Sequence, residues 1–369
     1  MLGAVDRLSR PRWAVIKDAR RRQRRRQRWI LTSVLAASAA AAVVWLIASS
    51  DHPRSTVAPS AVAVLRVQQP RLIGRVQDTT TLNGNVWVLS CIQRCAGAGP
   101  GSVGRLTELD GHDVRVLNSY RVADPGVLTG SAGAIWIAHF ATGNLSRVNA
   151  KTGHTVATLR LQLPRPNAWG DRAFLPSGIT SAGGRVWVTT ARGYVAEIDP
   201  HHLHVVRTIH TTSQATSTST AAGNTWIAEE KYGIGTIDLN STQVIRHRIL
   251  WHGKPVSIET VAAGAGLIWS LGAKTDGSSL TTGTVVTTTD PTTGRIIHQW
   301  STPTGVSMIV TNHGAYVAGL HGGQILQLTA SQRTQTIDGP RFSDLTTATP
   351  HALWVTTKRG KLLRIALSS

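Results

Sequence analysis

Seven short segments of the chain repeat one arrangement of apolar and polar positions. They are Gly84–Ser90, Gly133–His139, Gly184–Thr190, Gly223–Glu229, Gly266–Gly272, Gly314–Leu320 and His351–Thr357. Each opens on a turn residue and runs through three or four apolar positions around one aromatic: Trp87, Trp136, Trp187, Trp226, Trp269, Tyr316 or Trp354. The aromatics recur at spacings of 49, 51, 39, 43, 47 and 38 residues. A short aromatic strand at a period of roughly 40–50 residues is the signature of a propeller blade.

The pattern continues around each aromatic strand. A Thr/Ser-rich run precedes it, as in Ser177–Gly184 and Asp344–His351, and a turn then leads to a strand such as Gly193–Pro200 or Gly233–Leu239. A polar turn (Ala150–His154, Pro291–Arg295) and a β-branched strand (His204–His210, Gln243–Ile249, Arg295–Ser301) complete the unit. Period-two alternation bounded by Gly, Pro and Asp/Asn turns predicts four antiparallel strands per unit, with the Thr-rich strand lining a central channel. After Trp354 only one more strand remains, Gly360–Leu367. The missing outer strand lies at the front, because Ala63–Pro70 repeats the pattern of the outer strand Ala157–Pro164. The fold class is therefore all-β: a seven-bladed β-propeller over residues 60–369, closed by its N-terminal strand so that no edge opens between first and last blades.

A different pattern precedes the propeller. Trp29–Ala48 has twenty residues without charge, Pro or Gly, which as a helix would span about 30 Å, the thickness of a bilayer core. Residues 1–28 carry eleven Lys/Arg against Asp6 and Asp18. The positive-inside rule then predicts a cytoplasmic tail (1–28), one transmembrane α-helix (29–48), a linker (49–59) and an exported propeller. A signal peptide cleaved near Ala48 or Ser50 is the alternative, though its apolar region would be shorter. Of the formal net charge of +20, the residues after the tail retain +11, from 28 basic and 17 acidic side chains. The run of seven arginines in Arg20–Arg28 has the composition of a nucleic-acid arm. Its position before an apolar helix makes it a topology signal instead, and no nucleic-acid partner is expected.

Cys91 and Cys95 are the only cysteines. An oxidising compartment would pair them across a small loop, whereas a zinc site would need two further ligands; two free thiols are the other reading. The aromatic repeats occupy one blade position, so they read as packing between blades and not as a ligand cage.

The Gly-x-x-Trp strands, the Gly-Val…Ile-Asp strands and the Pro-x-Thr-Gly turns together resemble the superfamily of virginiamycin B lyase and the YVTN-like surface-antigen propellers. Thr287–Trp300 also resembles the tryptophan-docking repeat of quinoprotein propellers. The first resemblance implies a seven-bladed ring and, for the lyase, a magnesium-dependent elimination that uses a histidine before an inner strand and a glutamate after an aromatic strand. Ser177 stands in the place of that histidine, and Glu229 keeps the carboxylate. A serine replaces neither an imidazole base nor its metal-ligating nitrogen, so lyase activity is disfavoured.

In an up-and-down blade, the turns between second and third strands share one face with the connections between blades. The long insertions fall there: Cys91–Val103, Arg165–Pro176 and Gly272–Gly283. Loops on a rigid ring are the usual place for binding, so the candidate binding residues are Trp169, Asp171, Arg172, Phe174, His139, Phe140, Glu229, Glu230 and Tyr232. Each has a plain structural alternative, as a loop aromatic capping the core or a solvated charge. No metal cluster or catalytic motif is legible, and no cofactor is expected, with Mg or Ca the exception if Glu229 and Glu230 ligate. The sequence thus predicts a membrane-anchored binding or scaffold module for a protein or cell-envelope polymer. A metal-dependent lyase or hydrolase, or the outer part of a signalling complex, is the alternative.

Overall fold

The computed structural model describes residues 67–95, 101–163, 175–190, 192–211, 213–231, 233–237, 243–275, 281–302, 305–319, 323–330, 334–338 and 344–367. The predicted tail and transmembrane helix lie outside these. Among the described residues no helix is long and apolar enough to cross a membrane.

Seven antiparallel sheets follow one another along the chain. In blade 1 the strands run Arg75–Leu82, Asn85–Gln93, Val103–Leu109 and Val116–Ala123, inner to outer. The inner strands of successive blades touch all the way round, and that of blade 7 (Asp344–Thr349) meets that of blade 1, which closes the ring. The last blade takes its outer strand from the front of the chain: Val67 pairs with Ile365 and Gln68 with Arg364. Arg364, buried, adds a bond from Nη1 to Gln68 Oε1 at 3.0 Å. Of the predicted closing segment Ala63–Pro70, the two residues Val67–Gln68 form the strand, and 63–66 lie outside the described residues.

The turn between inner and second strands explains why the aromatic strands begin where they do. In blade 1 it is Asn83–Gly84, with φ of 53° and 80°, and Leu82 pairs with Asn85 across it. Two consecutive residues at positive φ make the mirror-image hairpin turn whose twist matches that of the strands. Ala132–Gly133, Ala222–Gly223 and Ala265–Gly266 repeat it.

The core is not one cluster but a series of layers between neighbouring blades. Trp136 packs with Val186, Val188 and Ile198 of blade 3, and Trp354 packs with Val86, Val88 and Leu109 of blade 1. The six repeat tryptophans are at most 1% exposed, which confirms them as packing residues. The third-strand residue opposite each aromatic is polar: Glu108, Arg147, Glu197, Thr236, Thr288, Gln327 and Arg364. Arg147 places its guanidinium carbon 5.9 Å from the Trp136 ring centre, and Gln327 donates to the Tyr316 hydroxyl at 3.2 Å.

Blade 5 departs from the predicted four strands. A short strand, Leu250–Trp251, folds back on Lys254–Pro255 through His252–Gly253, so its sheet has five strands. The outer strands of blades 1, 2, 3 and 5 each carry an irregularity near their start, as between Arg147 and Val148 in blade 2. Such bulges blunt the exposed edges of a propeller against pairing with other chains.

Candidate functional site

Blade order assigns the loop-rich face to the second-to-third-strand turns and the blade connections. Trp169, Asp171, Arg172, Phe174 and Tyr232 lie outside the described residues. The other four candidates are placed.

His139 is the third residue after Trp136 and is buried, 9% exposed. Its Nδ1 lies 2.7 Å from the Asp124 carbonyl and its Nε2 2.7 Å from Ser146 Oγ, which is 3.4 Å from Thr158 Oγ1. Asp124 holds φ at +48°, and its carboxylate accepts from the backbone N–H groups of Ala141 and Thr142 at 3.1 and 3.2 Å. Burial pushes the Asp124 carboxyl above its ordinary range. The histidine thus ties the incoming blade connection to the turn that follows it. Phe140 is half-buried beside it.

Glu229 is the third residue after Trp226 and is fully buried. Arg246 of the outer strand donates to it from Nε at 3.0 Å and Nη2 at 3.5 Å. The pair crosses the third strand where that strand is glycine: Glu229 lies opposite Gly233, and Gly235 opposite Arg246. A Cβ on Gly235 would come within 2.6 Å of Val244 Cγ1 and 3.0 Å of Ile227 Cγ1, so the packing of these neighbours favours glycine there. Burial raises the Glu229 carboxyl above its usual range, against the pull of the guanidinium. Glu230 is half-buried, and its backbone N–H donates to the Gln214 carbonyl at 3.1 Å.

His139 and Glu229 therefore occupy one repeat position, and Ser90 and Thr190 hold it in blades 1 and 3. Ser90 Oγ donates to the Ile73 carbonyl at 2.7 Å, again fastening the incoming connection. Ser177 is likewise engaged: its Oγ lies 3.1 Å from Thr189 Oγ1 and donates to the Ala215 carbonyl at 3.1 Å. These residues do not fit the metal site that the lyase resemblance implies. Among the described residues no three His, Cys, Asp or Glu side chains converge as metal ligands. Cys91 and Cys95 form a disulfide, with Cα atoms 5.6 Å apart.

Two features of this face were not foreseen. Asp78 and Asp344 share a register on adjacent inner strands, pairing with Leu89 and Thr356, each two residues past the blade tryptophan. Asp78 accepts the Leu128 N–H of the next blade at 2.8 Å and its neighbour Thr79 N–H at 2.8 Å. Ser217 and Ser307 make the same inter-blade bond, to Val261 and Leu345. Surrounding protein pushes both carboxyls up to about 6, although Asp344 keeps contact with water at the strand end. The second feature is the blade 5 hairpin. Trp251 is half-buried, with the Lys274 ammonium 4.9 Å from its ring centre, and His252, Gly253, Lys254 and Pro255 are exposed. Gln299 donates to the Leu250 carbonyl at 3.0 Å and fixes the base of the hairpin.

No family model matches the sequence, and no curated protein matches it. Solved structures do. A chain from the mitotic checkpoint complex superposes with a TM-score of 0.60 at 12% identity, covering 87% of this chain and 98% of that one. The Neurospora crassa Pan2 WD40 domain gives 0.57 at 11% identity, covering 80% and 90%. The Myceliophteria thermophila Cps50 (Swd1) β-propeller domain gives 0.60 at 9% identity, covering 82% and 100%. At these identities the likeness is one of fold, and the chain is a seven-bladed β-propeller.

Proposed function

We propose that this chain is a membrane-anchored binding module whose loop-rich face receives a protein partner outside the cytoplasm. The observation that carries it is the hairpin Leu250–Lys254, an aromatic and basic element held rigidly at its base and exposed at its tip. His139 and Glu229, the side chains on this face with catalytic potential, are committed to bonds within the propeller, the first to the incoming blade connection and the second to Arg246 of its own blade. Rigid presentation of a few protruding groups suits recognition, because little ordering entropy is lost on binding. The Cys91–Cys95 pairing suits an oxidising compartment, and the anchor rests on Trp29–Ala48 with its basic flank. One structural neighbour comes from a protein assembly, in keeping with a propeller used for docking.

The test is site-specific photo-crosslinking on the full chain in its native membrane. A probe at His252 is expected to capture a protein that a probe at Thr152, on the opposite face, does not. Equal capture from both positions, or none from His252, would refute the reading. A C-terminal reporter active only in the cytoplasm is expected to stay silent. The lyase resemblance supplies a second reading, favoured only by the retained carboxylate of Glu229. It requires divalent-metal uptake in calorimetry, which the committed Glu229–Arg246 pair argues against.

A further inference from the structure

The face opposite the loops has its own chemistry. Outer strands begin on that face, and among the described residues seven of the nine large exposed hydrophobics lie within the first three positions of such strands. Val67, Val116, Val156, Val206, Ile245 and Ile297, with Ile296 beside the last, are each 40–59% exposed. They form a girdle around one rim of the disc, in blades 7 and 1 to 5. The other two, Ile73 and Leu250, belong to blade connections on the loop-rich side.

The turns inside that girdle are polar and rich in histidine. The third-to-outer turns bring His112, His154, His201, His202 and His204, and the inner-to-second turns add His313 and His351, all exposed. Fixed charges on the described turns balance: Arg115, Lys151, Arg185 and Arg295 against Asp110, Asp113, Asp199 and Asp290. Three of the aspartates are held by their own turns. Asp110 accepts the His112 N–H, Asp199 the His201 N–H, and Asp290 the Thr292 N–H, each at 2.8 Å. The His112 N–H lowers the Asp110 carboxyl, the Thr293 and Thr292 N–H groups lower that of Asp290, and Asp199 is lowered first by His202 and further by the His201 N–H and Arg185. Asp113 pairs with Arg115 at 3.7 Å. Histidine is the side chain that gains charge between about pH 8 and 5. Acidification therefore adds positive charge to a face whose fixed charges balance.

The chain also enters the propeller here. The closing strand runs antiparallel to Leu362–Ala366, so its first residue, Val67, lies at the histidine face, and Leu367 bonds the His351 carbonyl there at 2.9 Å. Residues 49–66 separate the predicted helix from Val67, a span of at most roughly 60 Å when extended. Under the anchored reading, the chain enters the propeller on this face and not on the loop face.

We infer that the turn face, with its aliphatic girdle and histidine-rich centre, docks flat on the anionic lipid surface of the membrane, more tightly as pH falls. Apolar rim residues beside cationic turns are the elements of interfacial binding, where side chains sink roughly 5–10 Å into the headgroup layer. The orientation rests on the anchored reading; the docking chemistry does not.

The experiment uses the full chain with vesicles of phosphatidylcholine alone or mixed with phosphatidylglycerol, at about pH 7.5 and 5.5. Amide exchange is expected to slow about fivefold in 110–117, 150–157 and 200–207 on the anionic vesicles, more at the lower pH, with 248–256 unchanged. The triple variant H201Q/H202Q/H204Q should lose most of the pH-dependent increment in 200–207. V156S/I297S should lose protection at both pH values. Equal slowing on both lipids, slowing confined to 248–256, or no slowing overturns the inference. Protection by a soluble polyanion but not by vesicles would also overturn it, and would put a polymer in place of the bilayer. Carbonate extraction of the same samples judges the anchor separately. An extractable chain that still floats with anionic vesicles and shows the pattern keeps the docking and loses the anchor.

Discussion

Asp78 carries two opposing demands on one side chain. Its carboxylate oxygens satisfy two backbone N–H groups, one of them across a blade junction, yet the surrounding strands keep it half-buried and push it up to about 6. In the unfolded chain the group titrates near 3.9. The folded state thus holds the proton more firmly, so the contribution of Asp78 to stability is fully present below about pH 4 and is lost as pH rises through about 6. The loss is on the order of 2 kcal/mol. Asp344 shifts in the same direction, while the lowered Asp110, Asp199 and Asp290 act in the opposite sense, below about pH 4. Thermal unfolding between pH 5 and 7 should show a midpoint that falls with pH, and Asp78→Asn should flatten that slope. Arg246 presents the converse case. Arg246→Ala leaves Glu229 buried without its guanidinium, expected to cost about 3 kcal/mol in urea unfolding, and less at pH 5 than at pH 7 because protonation relieves the stranded charge. The milder Glu229→Gln should cost less than Arg246→Ala, since it removes the charge instead of isolating it.

Among the elements, the strands were readable because their apolar period and turn residues agree. Gly84 and Gly133 mark hairpin turns that need positive φ, and each tryptophan stands at the same strand position. The hairpin at Leu250 was not readable, because Trp-His-Gly-Lys-Pro contains no alternation from which a two-residue strand could be inferred. The candidate site was legible in residue type and less so in depth. The last position of a strand and the first of a loop look alike in sequence: Glu229 ends its strand and His139 follows one residue after Ala138, yet both are buried. Asp78 escaped notice because a single aspartate in a threonine-rich run reads as an ordinary polar position. The Cys91–Cys95 disulfide closes only a small loop at the end of an aromatic strand. By chain entropy its removal as Cys91→Ser/Cys95→Ser should cost about 2 kcal/mol, measurable as a lowered denaturation midpoint with an unchanged slope. A large change in slope would mean that the loop organises more of blade 1 than its own turn.

At the scale of the whole molecule, the ring depends on one short pairing. A chain beginning at residue 71 lacks Val67 and Gln68, and Leu362–Ala366 then becomes an unpaired edge. The expected result is a loss of about 2 kcal/mol and concentration-dependent association by light scattering, since open edges recruit strands from other copies. Full stability without those residues would show that the interblade layers alone hold the ring shut.

The closing partners Val67 and Ile365 stand near opposite ends of the sequence. Their pairing joins segments far apart in the sequence, and such contacts form late because chain closure entropy must be met first. During synthesis the opening strand therefore waits, unpaired, until all the blades between it and Leu362–Ala366 have been made. A chain stopped before Leu362 offers that strand no partner at all, however well its first six blades have formed. Propeller closure thus reports whether the third strand of the last blade has been made.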